Sequence, residues 1–130
     1  MTAREISTPT TRNRLGDDGI VRSIALPGTE QTLADATENL RAIRSLLPGG
    51  RLAPLLVDAR QARPMTREAR AFYADPGPAR VAAAVAVLVG SPATRIAGNF
   101  YLRLNQPRTP TRLFTSETDA LAWLRGFVPR

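Results

Sequence analysis

Residues 81–89 read Val-Ala-Ala-Ala-Val-Ala-Val-Leu-Val, an uninterrupted apolar run closed by Gly90-Ser91-Pro92. The run is too short for a membrane helix, which needs about 18 apolar residues. The Ala content of its first half would suit a helix. The later Val residues and the Gly-Ser-Pro stop favour a strand at the centre of a sheet. Its small Ala side chains would let covering helices approach closely. A chain built around such a strand has to supply those helices, and the remaining sequence does so.

Strand and helix signals alternate on either side of this run. Residues 4–14, rich in Thr and Arg, read as a weak edge strand or an exposed arm, with Pro9 confining any strand to an edge. The turn Leu15-Gly16-Asp17-Asp18-Gly19 and the β-branched stretch 20–26 complete an N-terminal hairpin. Over 32–47, Leu33, Ala36, Leu40, Ile43 and Leu47 recur at helical spacing, with Thr32 and Asp35 forming a capping box and Pro48-Gly49-Gly50 ending the helix. Pro54-Leu55-Leu56-Val57-Asp58 reads as a strand buried on both faces, and a helix follows over 66–75. Ser91 caps a further helix with Pro92 at its first position, carrying Ile96, Phe100 and Leu104 on one face and closed by Asn105-Gln106-Pro107. A short strand over 111–115 and a helix opened by Ser116-Glu117-Thr118-Asp119 end the chain. The expected fold is α/β: one domain over 1–130 with a mixed, mostly parallel sheet of about five strands, an N-terminal hairpin and about four helices.

Composition removes whole reaction classes. The chain has 130 residues with no Cys and no His. Thiolate chemistry, disulfides and the usual zinc ligand sets are excluded, as are Ser-His-Asp and Cys-His sites. The acids are scattered, with no EF-hand spacing, so no metal and no cofactor are expected. The net charge of +7 invites a nucleic-acid reading. Against it, all 18 basic residues are Arg, spread from Arg4 to Arg130, and aromatic residues are only 5% and never interleave a basic patch. The first residues lack the apolar core of a signal peptide, so a cytoplasmic location without membrane insertion is expected.

In an open α/β sheet, ligands gather outside the carboxyl ends of the strands. Two such ends carry polar groups. One is Asp58, followed by Arg60, Arg63, Thr66 and Arg67; the other is Ser91 with Thr94 and Arg95. If the two strands are neighbours, these groups share one rim. Each also has a plainer role: Asp58 as the partner of Arg60, Thr66 and Ser91 as helix caps, Arg95 on a solvated face. Phe114 and Trp123 are expected to fill one core layer, whereas an exposed Trp123 or Tyr101 would mark a contact surface.

Val57-Asp58, the Ala-rich strand closed by Gly90-Ser91, Gly98-Asn99-Phe100, Pro110-Thr111-Arg112-Leu113-Phe114 and Ala120-Leu121-Ala122-Trp123-Leu124 together resemble the STAS-like group of small bacterial proteins, named for sulfate transporters and anti-sigma factor antagonists. The closer likeness is to a branch labelled STAS/SEC14-like, over roughly residues 19–128. The resemblance implies a mixed sheet with helices largely against one face, and a regulatory or scaffolding role through protein contacts. In the antagonist group a Ser within an Asp-Ser-Ser-Gly loop is phosphorylated. The matching stretch here is Pro64-Met65-Thr66-Arg67-Glu68, which lacks that motif and offers only the Thr66 hydroxyl. The lipid-carrier side of the label requires a large apolar pocket, which in so short a chain would compete with the core for side chains.

Two functional expectations follow. The first is a non-enzymatic regulatory or protein-interaction module, forming a homodimer or binding another protein. The alternative is a domain binding a small molecule, lipid or anion at the rim near Asp58 and Ser91.

Overall fold

A computed structural model describes residues 5–105 and 107–129, without the side chains of Phe100, Tyr101, Leu104 and Asn105. The expected helix face of Phe100 and Leu104, the Tyr101 contact surface, the closing role of Asn105 and Gln106, and the first residues of the 1–14 arm therefore lie outside the described residues. The strands are β1 (Glu5–Ser7), β2 (Thr11–Leu15), β3 (Val21–Ala25), β4 (Ala53–Asp58), β5 (Ala82–Leu88) and β6 (Thr111–Phe114). The helices are α1 (Leu33–Leu46), α2 (Arg67–Ala74), α3 (Pro92–Asn105) and α4 (Glu117–Arg125). The described residues form a six-stranded sheet, one strand more than the reading of 4–14 as a single segment supplies. The weak first segment divides at Thr8-Pro9-Thr10 into β1 and β2, where the Thr8 hydroxyl accepts from the Thr10 and Thr11 N–H groups and turns the chain. The N-terminal hairpin becomes a three-stranded meander.

All six strands lie in sequence order. β1–β2 and β2–β3 are antiparallel; β3–β4, β4–β5 and β5–β6 are parallel. Right-handed crossovers along a sheet that never reverses its order put every crossover helix on one face, and α1, α2 and α3 share that face. α4 follows the last strand, so no such rule binds it, and it folds onto the opposite face. The expectation of helices largely against one face holds for three of the four.

The side-chain period of two divides the core accordingly, except at the register shift beside Ala53 and Pro54, where Ala82 and Ala84 fall on opposite faces. Leu56, Ala84, Ala86, Leu88 and Phe114 pack with Ala120 and Leu124 of α4. Val21, Leu55 and Ala82 pack with Leu40, Ile43 and Leu47 on the α1 side. The Ala residues of β5 let α4 sit close to the sheet, as the sequence implies. Phe114 and Trp123 share this layer, with ring centroids 5.9 Å apart, and the Arg112 guanidinium lies over both rings. α3 meets the sheet differently from expectation. Ile96 is 68% exposed rather than packed. Gly98 is the point of close approach, since a Cβ there would run into the Leu113 side chain of β6.

Candidate functional site

The expected rim forms only in part. β4 and β5 are neighbours, with Asp58 opposite Leu88 and the Ala59 N–H donating to the Leu88 carbonyl, so the two loops do adjoin. Their side chains diverge. Asp58 continues the Leu56 side of β4 towards α4 and lines a depression of about 180 Å³ with Arg14, Arg22, Glu117 and Leu121. Its carboxylate is held by Arg60: Nε donates to Oδ1 at 2.9 Å, Nη2 donates to Oδ2 at 2.7 Å, and the Arg60 N–H adds a third bond at 3.1 Å. The Arg60 guanidinium holds the Asp58 carboxyl below the usual carboxylate range, partly against the effect of burial. Thr66 and Ser91 stand at the starts of helices on the other face. Thr66 accepts from the Ala69 N–H, and Ser91 accepts from the Thr94 N–H at 3.1 Å, with its Oγ 3.0 Å from the Thr94 hydroxyl. Arg67, Thr94 and Arg95 are exposed.

The larger concavity lies inside the α1–α3 face. A cavity of about 330 Å³ lies between the sheet and the helices, beside the packed Leu40, Leu55 and Ala82. Its floor is Leu55 and Val57 of β4 and Val85 and Val87 of β5, reaching β3 at Ser23 and β6 at Thr111; its roof is Leu40 of α1, Tyr73 and Ala74 of α2 and Leu102 of α3. Native cores hold few voids larger than a water molecule, whereas ligand pockets begin at about 300 Å³. The walls are mostly apolar. As expected for so short a chain, the cavity draws on side chains of the core: Leu40, Leu55, Val81 and Ala82 belong to both.

One end of the cavity is polar and closely bonded. Asn39, buried on α1, accepts at Oδ1 from the Thr11 hydroxyl (2.7 Å) and from Asn13 Nδ2 (3.0 Å). Its Nδ2 donates to the Tyr73 hydroxyl at 3.1 Å, and that hydroxyl donates to Gln31 Oε1 at 2.6 Å. Gln31 Nε2 in turn donates to Thr10. The network ties β2, α1 and α2 together above the sheet. Burial pushes the Tyr73 phenol up to about 12, so it stays neutral at ordinary pH. Among the described residues no group of acids or other ligating side chains is placed to hold a metal ion, and no helix is long and apolar enough to cross a membrane.

Sequence reasoning missed Gln31, Asn39 and Tyr73. The available signal was Asn39, which stands three residues after Ala36 and one before Leu40, inside the apolar stripe of α1. A polar residue there has to meet partners brought from elsewhere.

A mixed sheet in sequence order with three helices on one face and a fourth on the other defines an α/β protein of the SpoIIAA-like class. An uncharacterised protein from the DUF3478 family with that fold, from Shewanella loihica PV-4, is similar at 19% identity over 92% of this chain and 98% of that one, with a TM-score of 0.61. A protein with unknown function from Arthrobacter sp. FB24 is 38% identical over 86% of this chain and 96% of that one, with a TM-score of 0.34. No curated protein matches. Residues 15–128 match the family described as a domain of unknown function, DUF7793, and the chain belongs to that family.

Proposed function

We propose that this protein is a non-enzymatic binding module for a small, largely apolar molecule, held between the sheet and helices α1–α3. The cavity of about 330 Å³ carries this reading. Its volume lies within the range of ligand pockets, and its wall is mostly apolar. Water is a poor filling, because most of the wall offers it no hydrogen bonds. The proposed site is the interior cavity rather than the Asp58/Ser91 rim. Val57→Phe tests it by placing a ring in the cavity from the middle of β4. Binding of an apolar fluorophore such as 1-anilinonaphthalene-8-sulfonate should fall at least tenfold, while the thermal midpoint stays level or rises. Unchanged binding in a folded variant would remove the cavity as the site.

A second reading, a protein-interaction module that includes a homodimer, has its own support. α4 covers the β4–β6 part of its face and leaves β2 and β3 bare. There Ile24 is 42% exposed beside Arg12 and Arg14. Sedimentation across a concentration series tests self-association through this patch: a dimer that Ile24→Glu dissociates supports it, and a monomer at every concentration refutes the homodimer.

A further inference from the structure

The cavity's charge and shape indicate the chemistry of its occupant; this inference rests on the binding reading above. Three arginines, Arg63, Arg70 and Arg80, line the cavity, and none of its described lining residues is Asp or Glu. Tyr73, the one other ionisable group in the wall, stays protonated up to about pH 12 and adds no negative charge. A concave wall lined by one sign of charge favours the opposite sign in the ligand.

The shape adds a second constraint. The lining draws on β2 at Thr11, β3 at Ser23, β4 at Val57, β5 at Val85 and β6 at Thr111. Five strands spaced at 4.7–4.9 Å span ~19 Å. A rounded ligand would touch two or three strands; a space of only about 330 Å³ drawn out over five is narrow for its length.

The arginines are not equivalent. Arg63 is exposed in the loop after β4, so it stands at the mouth, and its guanidinium makes no hydrogen bond or ion pair among the described residues. Its backbone N–H donates to the Thr29 carbonyl, which fixes the loop at that edge. Arg70 is half-buried on α2, one turn from Tyr73, and its Nη1 donates to the Met65 carbonyl at 2.7 Å. Arg80 lies before β5, at the other ends of the strands, and donates its Nε to the Ala82 carbonyl. The positive charge free to meet a ligand is thus at the Arg63 end.

We infer that the cavity takes a single-chain anionic amphiphile, a fatty acid being the simplest, with its head group at Arg63 and its chain along Leu55, Val57, Val85 and Val87. A guanidinium holds a carboxylate or phosphate through paired N–H donors. The Val and Leu floor supplies the contact area for the chain. One chain fits the volume; two do not.

The test is calorimetric titration of the full chain with dodecanoate, dodecyl phosphate, 1-dodecanol and dodecylamine, each below its aggregation threshold. At least one of the two anions should bind tenfold or more tighter than the alcohol, the amine should bind most weakly, and added salt should narrow the gap. The tighter anion identifies the head group as carboxylate or phosphate. Arg63→Gln should erase most of the preference for the anion and leave the affinity for the alcohol unchanged. An alcohol binding as tightly as both anions overturns the anionic head and leaves the apolar site standing. A preference for the anion that survives in a folded Arg63→Gln variant overturns the placement of the head. No binding by any of the four probes overturns both proposals.

Discussion

Asn39 and Tyr73 are the residues on which the cavity's polar end depends. Each joins elements distant in sequence, and each is bonded on both its donor and its acceptor side. Their burial makes stability sensitive to alkaline pH through Tyr73. Its folded pKa lies above the ordinary value of 10.0, at about 12. The folded state therefore holds the phenolic proton more tightly than the unfolded chain does. That contribution is complete below pH 10 and is lost as pH rises towards 12. Denaturant unfolding of the wild type should weaken by about 2–3 kcal/mol across that window, and Tyr73→Phe should remove most of the decline. An identical decline in the variant would assign the effect to other groups. Asp58 behaves in the opposite sense. Its carboxyl is held low by Arg60, so its contribution is present near neutral pH and fades as pH falls below the ordinary carboxylate range.

At the scale of elements, the helix starts follow local sequence closely. Thr32 caps α1 with a complete box: its hydroxyl accepts from the Asp35 N–H, and the Asp35 carboxylate accepts from the Thr32 N–H. Ser116 and Thr66 cap α4 and α2 in the same way through single bonds. These interactions are complete within four residues, which is why they are legible without a fold. Thr32→Ala should destabilise the protein by about 1 kcal/mol, measured by chemical denaturation, with little change in ligand affinity because the cap does not line the cavity. Where an element's role depended on its neighbours, the reading failed. Leu33 was counted in the α1 stripe but is 45% exposed, while Asn39 is buried. The angular position is the same whether the residue is polar or apolar; what faces it is set by β2 and α2.

The whole molecule is a sheet with a core cluster on each face and the larger concavity on the α1–α3 side. Adjacent residues of β4 sample both. Leu56 is 1% exposed in the tight layer under α4, and Val57 points into the cavity. Leu56→Ala should cost about 3 kcal/mol, in the range for a packed core. Val57→Ala should cost under about 1 kcal/mol, because it only enlarges a space already present. Denaturant midpoints of the two variants give the comparison directly, and equal costs would mean that the α1–α3 face is as closely packed as the other.

The sequence by itself determined the alternation of strands and helices, the parallel pairing from β3 onward, the helix caps and the absence of His and Cys chemistry. Periodicity, capping and residue inventory are local properties or sums over residues, and neither needs a tertiary contact. Only the tertiary structure decided that Asp58 turns towards α4 while Thr66 and Ser91 open helices on the other face. It alone brought Thr11, Gln31, Asn39 and Tyr73 together and opened a cavity beside them. The physical reason is that a site is a juxtaposition. The identity of each residue is written along the chain, but which face it occupies, and what stands opposite, is set by packing between segments far apart in sequence.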